Sequence, residues 1–409
     1  MDQTGGDIWR GNVGMRVLQI NSVCGYGSTG NIVVDLYHEL KKQGHECCIA
    51  YGRGTAPDDV DSYRIGTDLD VYVHGVMSRL TDKHGFYSTH ATKKFVKWMK
   101  EYDPDVIHLH NLHGYYINIE VLFEALKQMD KPVVWTLHDC WAFTGHCSYY
   151  TTVNCDKWIT GCEHCRQKKS YPTSIYKDNS SWNYSKKKQI FNSISKLTIV
   201  TPSQWLKGEV EKSFLSGHDT EVIYNGSDLQ TFCPTESTFR EQHHIEDKKI
   251  ILGVANVWTE RKGLGVFNSL ADQIDDFCAI VLVGLDKKQC IKQNPHIICI
   301  GRTRDKRELA EIYTAADLYL NPSVEETMGL TTVEALACGT NVLVRNSTAL
   351  PEIVKYDESR IMTDDDLRGQ IEHCLNCNMS HEVNRELAMQ YEKTKQYQKY
   401  VELYRKMEL

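Results

Sequence analysis

Short apolar runs alternate with longer helical patterns twice over, and this alternation confines the chain to a narrow set of architectures. In the first half the runs are 16–20, 46–51, 105–109, 132–137 and 196–200; in the second they are 249–254, 279–283, 296–300, 317–320 and 341–344. Continuous apolar runs of this length are what strands buried on both faces look like, and the helices between them supply the covering layers. The expected fold class is α/β, with two Rossmann-like doubly wound domains facing a central cleft. Ligands of such domains sit outside the carboxyl ends of the strands. The boundary falls near Val222-Ile223-Tyr224-Asn225-Gly226-Ser227-Asp228, where a strand runs into turn-forming residues. This gives domains 15–224 and 225–385, an insertion at 140–190 and a helical, charged closing segment 386–409. Residues 1–14 lack apolar periodicity and read as a non-native or disordered extension, with Met15 as the natural start.

Composition narrows the class further. Hydrophobic content of 41% and charged content of 25% over 409 residues suit a globular protein of two domains. No apolar run approaches the roughly 20 residues that span a bilayer, and no signal peptide opens the chain, so the expected location is cytoplasmic. A net charge of −7 argues against nucleic acid as partner. Most of the 15 cysteines stand singly in apolar stretches, as Cys47, Cys48, Cys278 and Cys299 do, which fits free thiols in a reducing compartment.

The most telling segment runs from Pro322 to Gly339. A strand ends before it, and residues 330–338 read as a helix stopped by Gly339, so Glu326 lies in the connecting loop and Glu334 within the helix. Backbone N–H groups of Gly329, Leu330 and Thr331 at the helix start favour a phosphate, and the flanking carboxylates can accept hydrogen bonds from sugar hydroxyls. A nucleotide sugar offers both.

These residues resemble the signature of the retaining glycosyltransferases of family 4, in which two Glu are separated by seven residues. The resemblance implies the GT-B fold, with Glu326 at the donor sugar and Glu334 at the ribose. Thr327, Met328 and Thr331 replace residues usual in the motif, while both carboxylates and Gly329 stay in register. Asn225, Gly226, Asp228, Phe232 and Pro234 match the family's interdomain pattern, and the resemblance implies a last helix crossing back to the first domain. The loop from Gly27 to Asn31, with Gly27 and Gly30 permitting close backbone approach, is implied to lie beside the donor diphosphate. Lys262 matches the phosphate-binding lysine. The Arg usual six residues earlier is Asn256 here; Arg261 either compensates or faces solvent, and Arg302 is a further candidate. His138, at the end of its strand, is implied to hydrogen-bond the donor sugar, and Asn111 and His113 are candidate acceptor contacts. The catalytic assignment is therefore Glu326, His138 and Lys262, without a catalytic cofactor. Asp59-Val60-Asp61 and Asp364 to Asp366 read as surface acids rather than a metal-binding pair.

Cys147, Cys155, Cys162 and Cys165 fall within one short stretch, and their spacing suits either a structural zinc with four thiolates or free cysteines. This Cys-rich insertion resembles that of bacterial members building capsule, exopolysaccharide or lipopolysaccharide. Two basic, aromatic stretches are candidates for peripheral contact with the inner face of a membrane or with a lipid-linked acceptor. One is Lys93, Lys94, Lys97 and Lys100 among Phe95, Trp98, Met99 and Tyr102; the other runs from Arg166 to Lys188. Packing of the first onto a sheet is the competing reading. The expected activity is transfer of a sugar from a nucleotide diphosphate donor to a glycan or lipid-linked acceptor. An epimerase or hydrolase of the same fold, or a non-catalytic sugar-nucleotide-binding subunit, is the alternative.

Overall fold

The computed structural model describes residues 14–274, 277–363, 366–377 and 380–408. Asp364 and Asp365, and nearly all of the N-terminal extension, lie outside the described residues.

The first domain contains strands Arg16–Val23 (β1), Glu46–Arg53 (β2), Ser62–Arg64 (β3), Val106–Leu109 (β4), Val133–Thr136 (β5), Leu197–Thr201 (β6) and Asp219–Val222 (β7). They form one parallel sheet in the order β3-β2-β1-β4-β5-β6-β7. Its helices are Gly27–Lys42 (α1), Asp68–Thr81 (α2), Thr89–Tyr102 (α3), Ile119–Met129 (α4), Ser180–Phe191 (α5) and Gln204–Lys212 (α6). The second domain contains Lys249–Val254 (β8), Cys278–Val283 (β9), Ile297–Ile300 (β10), Leu318–Asn321 (β11), Asn341–Arg345 (β12) and Ile361–Met362 (β13), parallel in the order β10-β9-β8-β11-β12-β13. Helices Phe239–His243 (α7), Leu264–Ala271 (α8), Lys287–Cys290 (α9), Lys306–Ala315 (α10), Leu330–Ala337 (α11), Leu350–Ile353 (α12), Leu367–Asn376 (α13) and His381–Ala388 (α14) cover it.

Central strands are buried along almost their whole length, which is why each appears as a continuous apolar run. In each sheet the strand order reverses once, between β1 and β4 and between β8 and β11, and the segments that follow β1, β8 and β11 line one cavity. The final helix, Lys393–Glu408 (α15), lies on the first domain: Tyr404 Oη is 2.6 Å from His108 Nδ1, and Tyr400 Oη is 3.0 Å from Thr136 Oγ1. Among the described residues no helix is long and apolar enough to cross a membrane.

Two readings of the basic stretches change in the folded chain. Phe95 and Met99 of α3 are in the core, and Trp98 stacks on Tyr63 and Tyr102, so the aromatic side of this helix faces inward and its lysines face solvent. Lys187 is buried, not a surface cation. It donates to the carbonyls of Trp141 and Thr144 at 2.7 and 3.1 Å, and burial lowers its ammonium to a pKa of about 7. Asp61 bonds Tyr37 and Lys41 of α1 at 3.0 and 3.1 Å.

Candidate active site

A cavity of about 330 Å³ lies between the domains, at the carboxyl ends of both sheets. Two helix N-termini open onto it. Helix α1 contributes Gly27, Ser28 and Asn31; helix α11 contributes Leu330, Thr331 and Glu334. The first turn of a helix leaves backbone N–H groups without intrahelical partners, and the aligned peptide dipoles make that end electropositive. Neither helix has a side-chain cap occupying its end. The helix of the first domain begins at Gly27, so the glycine-rich turn is itself the first helical turn. At the other end Gly329 has φ of +100°, a left-handed value that favours glycine, and a Cβ there would meet Leu350 Cδ2 at 2.8 Å.

Arg302 and Lys306 add positive charge to the same cavity. Asn256, standing where the family pattern has an Arg, also lines it. Glu334 faces the cavity and accepts a hydrogen bond from Tyr313 Oη at 3.1 Å. The apolar walls push its carboxyl up to about 7, with the Tyr313 hydroxyl and Lys306 opposing that rise.

Glu326 and Lys262 form an ion pair at the loop between β11 and α11. Burial alone would raise the Glu326 carboxyl; Lys262 and Arg261 outweigh it and hold the group below its ordinary value. Neither Glu326 nor Lys262 lines the 330 Å³ cavity. Their loop instead reaches the end of β5, where Thr327 Oγ1 donates to the His138 carbonyl at 3.1 Å. Arg261 turns away from the cavity: Nη1 donates to the Glu325 carbonyl at 2.6 Å, and the guanidinium lies 3.9 Å from the Tyr149 ring centre.

His138 belongs to a buried chain of polar groups. Gln19 Nε2 donates to the Val33 carbonyl at 3.0 Å, which leaves its Oε1 to accept from His110 Nε2 at 3.2 Å. His110 Nδ1 must then accept, from His138 Nε2 at 3.1 Å. Burial keeps both rings neutral, lowering His138 to about 4 and His110 well below its ordinary value. The chain fixes Nδ1 as the acceptor of the His138 ring. Gln19 and His110 are absent from the expected site; the recurrence of His at 108 and 110, on one face of a strand end, was their only trace in the sequence.

Asn111, His113, His138 and Asp139 line a crevice of about 10 Å³ in the first domain, room for about one water. His113 Nε2 is 2.7 Å from Asp139 Oδ2, and its Nδ1 is 2.9 Å from Tyr171 Oη. Asn111 N–H donates to Asn21 Oδ1 at 3.2 Å. A further unforeseen residue is Glu325, which is buried and accepts from the Thr151 and Tyr150 N–H groups of the insertion at 2.8 and 3.4 Å. It ties the second domain's loop to the Cys-rich segment.

The four cysteines of that segment, with His146 and His164, line one narrow cavity. Cys162 Sγ accepts from the Gly145 N–H at 3.1 Å, and burial pushes its thiol up to about 11. Among the described residues, no three His, Cys, Asp or Glu side chains stand at metal-binding geometry. The thiols are gathered around one space, and none of the four is in a disulfide.

Two family matches divide the chain as the fold does. Residues 29–231 match Glycosyltransferase Family 4, and residues 248–377 match Glycosyl transferases group 1. The chain carries the two domains of a GT-B glycosyltransferase. It is 22% identical over 375 residues to WcaC of Escherichia coli K12, a glycosyl transferase named for colanic acid biosynthesis, covering 86% of this chain and 88% of that one. A GDP-mannose-dependent alpha-(1-6)-phosphatidylinositol dimannoside mannosyltransferase of Mycobacterium tuberculosis is 29% identical over 174 residues, 39% of this chain and 44% of its own. The solved structure of Anabaena Alr3699/HepE in complex with UDP-glucose superposes with a TM-score of 0.64 at 15% identity, over 95% of this chain and 99% of that one. This GT-B protein accordingly has its interdomain cavity where that architecture has its cleft.

Proposed function

We propose that this glycosyltransferase moves a sugar from a nucleoside diphosphate sugar to a hydroxyl of a glycan or lipid-linked acceptor, with retention of configuration, in bacterial surface polysaccharide biosynthesis. One observation carries the reading: two uncapped helix N-termini and Arg302 converge on a cavity that also holds the Glu334 carboxylate. That combination suits a diphosphate at the cationic end and ribose hydroxyls at the acidic one. The UDP-glucose held by the Anabaena protein supports a donor of this class, and the name of the E. coli relative supports the polysaccharide setting.

In this reading the sugar extends from the diphosphate toward Glu326, Lys262 and His138, and the acceptor enters beside Asn111 and His113. Breaking the sugar–phosphate bond concentrates negative charge on the departing diphosphate. Arg302, Lys262 and the helix ends are the chain's own groups for stabilising it. His138 Nδ1, fixed as an acceptor, takes a hydrogen bond from a hydroxyl of the donor sugar. The acceptor attacks from the face that the diphosphate leaves.

The test is incubation of purified protein with a panel of nucleotide sugars, with and without lipid-linked acceptors, followed by mass spectrometry and anomeric NMR couplings. A transferred sugar with the donor's anomeric configuration is expected. Conversion of donor alone, without need of an acceptor, would identify an epimerase or hydrolase instead; an inverted product would remove the retaining assignment. Activity is also expected to persist in EDTA, because the groups named above neutralise the leaving group. Loss of activity at an unchanged melting temperature, restored by magnesium or manganese, would refute that.

A further inference from the structure

Helix α2 turns most of its apolar side chains outward. Val71 packs against the core, but Leu69, Tyr72, Val73, Val76 and Leu80 follow one another at the three- and four-residue spacing that puts them on one stripe of an α-helix. All five are exposed, Leu69 to 69% and Tyr72 to 70%. The opposite face carries His74, Gly75 and Ser78, and these are buried. Apolar burial would favour turning the helix over, so specific contacts must fix its roll. His74 Nδ1 is 2.8 Å from Ser88 Oγ, and its ring packs edge-on to Tyr87 and Tyr115. At the C-terminal end the buried Asp82 carboxylate accepts from the Asn179 N–H at 2.7 Å, anchoring the helix to the insertion.

The stripe does not end with the helix. The Ile175 N–H donates to the Arg79 carbonyl at 2.8 Å, which brings exposed Ile175 and Tyr176 against its C-terminal end. Around that end stand Arg79, Lys83, Lys168, Lys169 and Lys177. Lys168 Nζ donates to the Tyr176 carbonyl at 3.3 Å, and Lys83 lies 4.2 Å from the Trp182 ring centre. Among the described residues none of these five cations is in an ion pair, although the chain as a whole carries a net charge of −7. The surface also abuts the acceptor crevice: the Arg79 guanidinium lies 5.3 Å from the centre of the Tyr115 ring, and Tyr171 bonds His113.

We propose that this face docks on an anionic phospholipid bilayer. The α2 stripe, Ile175 and Tyr176 lie at the boundary of headgroups and acyl chains, and the cations meet lipid phosphates. Charge favours this occupant over a second copy of the chain, because two-fold pairing through the patch would bring two basic rims together. The proposal stands on this geometry and does not depend on the transfer reaction, so vesicle binding and activity can fail separately.

Cosedimentation of the full chain with vesicles of phosphatidylcholine, with and without phosphatidylglycerol, tests it. Binding is expected on the anionic vesicles, weakening as salt rises. The double variant Leu69→Ser/Tyr72→Ser is expected to bind at least about tenfold more weakly, since both side chains lose their apolar contact with lipid. Lys168→Gln/Lys169→Gln is expected to lose the preference for phosphatidylglycerol. The control Ile291→Ser, an exposed apolar residue of the second domain, should bind as the parent does. The substituted side chains lie at the surface, Lys168 half-buried and the others exposed, so thermal unfolding close to the parent's is expected throughout. Absence of binding to anionic vesicles, or binding untouched by Leu69→Ser/Tyr72→Ser, would overturn the proposal. So would light scattering that shows a parent dimer dissociated by the same double variant.

Discussion

Glu326→Ala is expected to lower turnover by about 10²- to 10³-fold, with a much smaller change in donor affinity. The carboxylate is paired with Lys262 and held ionised against the cost of its burial, so it offers a full negative charge at the junction of the two domains. A charge maintained at such cost can act on the transferring sugar as positive character develops there. Glu326→Gln keeps the shape and removes the charge, and it should be nearly as slow as the alanine variant. Lys262→Ala should also slow transfer, through loss of stabilisation of the departing phosphate. Each variant leaves a half-buried partner without its counter-charge, which is destabilising in itself. A thermal-unfolding scan must therefore accompany the kinetics. Near-normal turnover of folded Glu326→Ala would show that the carboxylate does not act on the sugar.

How much of this could be read from the residues depends on what each signal encodes. The central strands were legible because burial on both faces leaves unbroken apolar runs, as in Val106–Leu109 and Leu318–Asn321. Strands Ser62–Arg64 and Ile361–Met362 are too short and too exposed to leave such a trace. Glu326 and Glu334 were found by spacing, whereas Glu325 was not: adjacent carboxylates look alike in a sequence, and only the fold sends one to Lys262 and the other to the insertion. Helix α2 shows a deeper limit. A stripe at helical spacing records that apolar groups share a face, and it reads the same whether that face meets a core or solvent. The opposite error affects Lys187, where a charge within a basic run proved buried under Trp141.

The second large effect concerns donor binding. Glu334→Ala is expected to weaken nucleotide-sugar affinity by about 10- to 150-fold, the equivalent of about 1.5–3 kcal/mol for hydrogen bonds to a charged acceptor. The same residue gives the interaction a pH dependence whose sign follows from its surroundings. Burial raises the carboxyl to about 7, so in the free protein the group takes up a proton as pH falls through neutrality. If Glu334 receives the ribose as proposed, its ionised form is the better acceptor, so donor affinity should be greatest above about pH 7 and decline below it, with proton release on binding near that pH. For folding the sign is reversed. A carboxyl whose pKa is raised in the native state favours folding when protonated, so this contribution is present below its unfolded value and is lost as pH rises through about 7. Isothermal calorimetry across this range, in buffers of different ionisation enthalpy, measures affinity and proton release together. Affinity unchanged by Glu334→Ala would remove the ribose assignment, and a parent affinity flat across neutrality would show that Glu334 does not change its protonation when the donor binds.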